Sequence, residues 1–291
     1  MYWRRRQRHE FHCVGKVSGL FIYPVKSCKG IPVDCAMCFD QGLQHDRRWI
    51  ILNEKDRFIS ARERPALALV KPSIIAANNG LCLDAPNMET LEVALPLNTT
   101  EFKSISVFGV VGEGQSAGQE AAAWLSKYLN KPGCKLYYMT KPRFIANDEI
   151  WGDVAKPDDK HGFGDFAPLL VTTTEALAAL NNELDTPITM ARFRPNVIIN
   201  GTKTFDEDNW KQLKVNDVEI RCMKNCDRCV MTTIDPDLGV KTGKEPLATL
   251  KRTRLPENRD KRFGDSPFFG IHAAVDKEGV IKVGDTVFAR E

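Results

Sequence analysis

A chain of 291 residues is long enough to bury a sizeable core, as one large domain or two ordinary ones. With 43% hydrophobic and 27% charged residues it is globular, which excludes a disordered chain, and its net charge of +3 decides little by itself. There is no aromatic interleaving of basic residues and no recognised nucleic-acid motif, so nucleic acid is not expected as a partner.

The first 13 residues form a basic tail containing Arg4, Arg5, Arg6 and Arg8, a solvated run or one suited to an acidic protein or a membrane surface. No apolar run comes after it as a secretory signal requires, and no stretch reaches the roughly 18 to 20 apolar residues that span a bilayer. Short apolar or alternating runs at 14–23, 49–52, 67–76, 91–95 and 105–111, punctuated by Gly, Pro and Asn, predict strands. Residues 118–130 read as a helix, with Ala121, Trp124, Leu125, Tyr128 and Leu129 on one face and Lys131-Pro132-Gly133 as its stop. The aperiodic stretch 141–165 marks a long loop and a domain boundary, giving a β-rich domain at 14–140 and a second at 141–291.

A buried strand at 168–171 leads to a helix opened by the capping-box pattern Thr172-Thr173-Thr174-Glu175, with Leu177, Leu180 and Leu184 as its core stripe. Further strands are predicted at 197–199, 215–223, 230–234, 269–275 and 280–288. Lys251, Arg252, Arg254, Arg259, Lys261 and Arg262 make a second basic cluster. Many short strands joined by turns predict a mainly β chain with helices, an α+β class containing a barrel.

Chemistry concentrates at Asn225-Cys226-Asp227-Arg228-Cys229, ahead of an apolar β-branched run that ends at Asp235-Pro236. An arginine beside Cys229 favours thiolate, the form that ligates metal or attacks an electrophile. The Cys226-x-x-Cys229 spacing also suits half a zinc site or a redox dithiol. The other such pair, Cys35-x-x-Cys38, lies far upstream, and a strand after Cys229 does not fit a thioredoxin-like helix start. Nine cysteines without a regular framework point to a reducing compartment. Five histidines, among them His45, His161 and His272, show no metal-binding spacing.

Four ordered motifs stand out along the chain: Tyr23-Pro24-Val25-Lys26-Ser27-Cys28-Lys29-Gly30, His45-Asp46-Arg47-Arg48-Trp49, Arg192-Phe193-Arg194-Pro195-Asn196, and the cysteine segment 226–236. Together, over about 14–290, they resemble the MOSC family, most closely its mitochondrial amidoxime-reducing branch. The resemblance implies a β-barrel-like MOSC domain behind a smaller MOSC N-terminal β-barrel domain, and Mo-molybdopterin (the molybdenum cofactor) as cofactor. It implies that Cys229 ligates molybdenum and is the catalytic residue, and that Lys26, Ser27, Arg47, Arg194, Asn196, Asp227 and Arg228 bind the cofactor. Asp46 is expected to orient Arg47, and Asp235 to shape a turn. Ala167 stands where relatives often carry serine, and Asp227 where some do.

The activity so implied is reduction of N-hydroxylated substrates, amidoximes and hydroxylamines. No flavin or nicotinamide motif is present, so electrons are expected from cytochrome b5 and its NADH-dependent reductase, with the second basic cluster as a docking face. The implied location is the cytosolic side of the mitochondrial outer membrane, residues 1–6 resembling the arginine-rich segment that adjoins an anchor helix, with a cytosolic protein as the alternative. Two other readings stand beside this one: a sulfur-transfer protein related to molybdenum cofactor sulfurase, and a non-catalytic molybdopterin carrier.

Overall fold

The computed structural model describes residues 10–145, 151–255, 262 and 264–291. Arg4, Arg5, Arg6 and Arg8, and Arg259 and Lys261 of the second cluster, lie outside the described residues. The largest sheet closes on itself. Val197–Asn200, Leu169–Thr173, Phe268–Lys277, Val218–Asp227, Gln212–Val215, Thr286–Arg290 and His12–Ile22 are neighbours in that order, and His12–Ile22 pairs back onto Val197–Asn200. One pair, Leu169–Thr173 with Val197–Asn200, is parallel, bridged by the helix Thr174–Asn181; the other ring pairs are antiparallel. Closure leaves no unpaired edge in the ring. Its interior is filled by Val17, Leu20, Val171, Ile199, Val215, Ile220, Ala273 and Val287, each at most 1% exposed.

His12–Ile22 changes partner along its length. Its first half pairs with Thr286–Arg290 and its second with Val197–Asn200, the register slipping between Cys13 and Gly15. A Cβ at position 15 would stand 2.0 Å from the Asn200 carbonyl oxygen, so the crossing needs glycine.

Between this first strand and the remaining ring strands the chain builds a second β unit. Trp49–Leu52, Lys135–Lys141, Val110–Ser116 and Phe102–Val107 form a four-stranded sheet; Lys71–Ile75, Gly80–Asp84 and Leu91–Val93 form a three-stranded one. The helix Gln119–Tyr128 buries Ala121, Trp124 and Leu125 in a core shared with Trp49, Leu81 and Leu136. The chain is thus mostly β, a barrel with a smaller β domain and a few helices.

Local chemistry shifts several expected elements. Residues 67–69 belong to the 3-10 turn Pro65–Leu69, and the strand starts at Lys71. The run 105–111 is a hairpin turning at Phe108-Gly109, and 280–288 is split by Gly284. The helix N-cap is Thr173, whose hydroxyl accepts from Ala176 N at 3.1 Å, while Glu175 reaches Gly201 N and Thr202 instead of closing a capping box. The run 230–234 is not a strand. Val230–Thr233 is a 3-10 turn in which the Thr232 and Thr233 hydroxyls donate to the Cys229 and Val230 carbonyls, at 3.0 and 2.8 Å. That back-bonding overrides the strand preference of β-branched residues.

Candidate functional site

All eight residues singled out from the sequence, Lys26, Ser27, Arg47, Arg194, Asn196, Asp227, Arg228 and Cys229, line one cavity of about 400 Å³ between the barrel and the smaller sheets. Eight arginines and lysines line it against two carboxylates, Asp165 and Asp227, which suits it to a multiply charged anion.

Three of the eight hold left-handed backbone: Ser27 at φ 73°, Arg47 at 47° and Arg194 at 57°. Non-glycine residues seldom adopt it, and strain of this kind gathers at binding sites. Two of them, Arg47 and Arg194, set their side chains on Tyr23. Its buried ring lies between two guanidiniums, Arg47 at 4.4 Å and Arg194 at 4.3 Å, and burial pushes its hydroxyl pKa up to about 12 against the pull of those cations. Gly30 is required beside it, since a Cβ there would stand 2.5 Å from the ring.

Arg47 donates to Asp46 at 2.6 Å, to Asn196 Oδ1 at 2.9 Å and to the Arg194 carbonyl at 3.1 Å. Asp46 in turn accepts from Tyr23 N at 2.8 Å, so it orients the arginine. Asn196 also accepts from Leu170 N and donates to the Phe21 carbonyl and to the Asp46 carboxylate, so its amide is tied into the same network. Arg194 donates to the Cys28 carbonyl at 2.6 Å.

Arg228 comes directly after the strand Val218–Asp227 and is fastened across the barrel rim. Nε donates to the Phe269 carbonyl at 2.9 Å and Nη1 to the Phe193 carbonyl at 3.3 Å, while Nη2 is buried without a partner among the described residues. An orphaned charged donor in a cavity wall is what an anionic ligand satisfies. The Asp227 carboxylate is held by Lys224 at 2.7 Å, which offsets its repulsion of an anion. Of the two cysteines, Cys226 is buried and its thiol pKa is pushed up to about 11 by burial, whereas Cys229 is exposed. Cys229 is therefore the accessible sulfur.

Asp235 accepts from Asp237 N and Leu238 N, both at 2.9 Å, and from Arg192 at 2.9 Å, forming the turn expected of it. Ala167 lines the cavity with a methyl group. Cys35 is exposed and Cys38 buried, and among the described residues no three metal-ligating side chains gather. The second basic cluster is partly neutralised: Arg252 pairs with Glu183, Arg254 with Asp208 and Arg262 with Asp153.

Several cavity residues gave no signal in the sequence. Asp165 lies in the aperiodic stretch 141–165 and bridges Lys26 and Arg62. Although burial raises its pKa, those two cations outweigh it and hold the carboxyl well below the usual range. His272 alternates within a strand and reads as sheet, yet it lines the cavity, its Nδ1 without a partner among the described residues. Burial, with Lys224 and Arg228, pushes its pKa well below 6.5 and keeps it neutral.

The model of the MOSC N-terminal beta barrel domain matches residues 14–132, and that of the MOSC domain residues 158–288. Mitochondrial amidoxime-reducing component 1 of Homo sapiens is 35% identical over 294 residues, covering 98% of this chain and 86% of its own. Mitochondrial amidoxime reducing component 2 of Bos taurus is 37% identical over 296 residues, covering 98% and 87%. The chain belongs to the MOSC family, in the group of the amidoxime-reducing components. Among solved structures, the YUAD protein from Bacillus subtilis covers 96% of this chain and 98% of its own at 11% identity, with a TM-score of 0.40. Among the described residues no helix is long and apolar enough to cross a membrane.

Proposed function

We propose that this chain is a molybdenum-cofactor oxidoreductase that removes oxygen from N-hydroxylated compounds. The observation that carries the reading is one cavity joining a dense cationic wall, a buried Arg228 donor without a partner among the described residues, and an exposed Cys229 thiol. Molybdopterin presents a phosphate, a hydrogen-bonding pterin and a metal on two sulfurs, and these side chains match it. The arginines and Lys26 would hold the anionic parts, Ser27 would offer a hydroxyl, and Cys229 a soft ligand for the metal. When bound, the cofactor supplies oxygen-atom transfer chemistry.

The overall conversion consumes two electrons and two protons per N–OH group and yields N–H and water. The chain's part is to bind and orient: Tyr23 and Asp46 fix the arginine pair, and Asp165 bridges Lys26 and Arg62. In this reading the electrons come from cytochrome b5 and its NADH-dependent reductase, on the cytosolic face of the mitochondrial outer membrane. The relatives' names support the reductase class and the organelle.

The test compares wild type with Cys229→Ala from a host that makes the cofactor. About one molybdenum per chain, lost in the variant together with benzamidoxime reduction by an artificial electron donor, is expected. Cofactor bound without turnover would indicate a carrier, persulfide on Cys229 a sulfur-transfer protein, and zinc or no metal would remove the assignment.

A further inference from the structure

The hairpin Phe102–Val107 to Val110–Ser116 turns in two residues, Phe108 at φ 51° and Gly109 at 85°, with Val107 opposite Val110. Both central residues are left-handed, the turn type that favours Asn-Gly and penalises a side chain such as phenylalanine. Phe108 is moreover 54% exposed, and among the described residues it is the one exposed large apolar side chain that lines the cavity. Neither turn preference nor burial accounts for an aromatic ring here.

Its neighbours say what it is placed for. The ring meets Phe58 edge-on at 5.5 Å and lies 5.9 Å from Lys26 Nζ and 5.2 Å from the Arg62 guanidinium. The other aromatic liners are engaged too, Phe193 stacking on Phe269 at 3.8 Å and Phe166 packing on Trp151 and His272, but each is less exposed than Phe108. The hairpin is also held in place, for the buried Arg143 donates to both its Val107 and Val110 carbonyls and to the Gly162 and Gly164 carbonyls beside Asp165. An exposed aromatic ring on an anchored hairpin thus lines the same cationic cavity as the exposed Cys229.

We propose that Phe108 is a specificity-determining residue, a platform on which the planar apolar part of an N-hydroxylated substrate stacks at the cavity mouth. This rests on the reductase reading above and narrows it to substrates carrying an aryl or similarly flat group. Such stacking contributes modestly, so its loss should cost roughly fivefold to tenfold in discrimination.

The test uses molybdenum-loaded enzyme with an artificial donor, comparing kcat/KM for benzamidoxime with that for hydroxylamine. In Phe108→Asn that ratio is expected to fall roughly fivefold to tenfold, and Phe108→Tyr should restore it. Benzamidoxime binding to the oxidised holoenzyme, by calorimetry, should weaken by the same factor. The thermal midpoint of Phe108→Asn should hold or rise, because asparagine suits the turn. An unchanged ratio, with or without a lower midpoint, would overturn the proposal and leave Phe108 a cover over Lys26. Wild-type enzyme that reduces neither compound would instead sink the reductase reading, and this inference with it.

Discussion

Lys26 holds a charge where the protein penalises one. It is 6% exposed, and burial pushes its pKa from 10.5 down to about 8, with Arg143 and Arg62 adding to the shift and Asp165 opposing it. The folded chain therefore gives up this proton near pH 8, the unfolded chain only near 10.5. Between those values the unfolded state binds more protons, so the unfavourable contribution of Lys26, fully present below pH 8, is relieved as pH rises through that window. Cofactor-free wild type should accordingly gain on the order of 2 kcal/mol of stability relative to Lys26→Met between pH 8 and 10. Denaturant unfolding at both pH values checks it, and parallel behaviour of the two proteins would exclude a depressed Lys26. Lys26 and the arginines were legible in the sequence through the ordered motifs that resemble the MOSC family, since a lone lysine or arginine reads as a solvated surface residue. Asp165 was not, because its role comes from two cations distant in sequence.

Elements are held at the cavity by a side chain that sequence reasoning passed over. Arg143 sits among Lys141, Pro142 and Phe144, a context that reads as a solvated loop, yet it is 0% exposed. Burial lowers its pKa to about 10, and its four hydrogen bonds all go to backbone carbonyls, two on the Phe108 hairpin and two on the loop carrying Asp165. Gly112 makes room for it, since a Cβ there would stand 2.6 Å from the Arg143 Cγ. Arg143→Met removes the buried charge and strands those carbonyls together, so a loss of about 3–5 kcal/mol is expected. Chemical denaturation measures it, and a loss below about 1 kcal/mol would show that the hairpin and loop hold without the clamp. The turn Val230–Thr233 teaches the same lesson. Its threonines carry strand preference, but their hydroxyls find carbonyls three residues back, and only the folded chain shows which bond wins.

At the scale of the whole molecule, sequence order and spatial order part. Alternation along 14–23 marks a strand, but nothing in it says that its two partners in the ring lie about 180 and 270 residues away. The division into 14–140 and 141–291 was drawn at the long loop, whereas the ring of strands draws His12–Ile22 from one side of it and its other six members from the other. A fragment of 141–291 alone would lack that strand. The edges of Val197–Asn200 and Thr286–Arg290 would be left open, and Val17 and Leu20, each 1% exposed in the barrel interior, would be missing. The fragment is therefore expected to aggregate or to melt without a cooperative transition, by circular dichroism and gel filtration. The same fragment preceded by residues 10–48 through a flexible linker should regain a sharp transition, because the ring can then close. The cavity should return only in the intact chain, since Arg62 and Phe108 reach it from turns of the intervening β unit. A cooperative, monomeric 141–291 would mean that the barrel can close without its N-terminal strand, and that the first strand serves the cavity alone, through the Tyr23 to Ser27 turn it delivers.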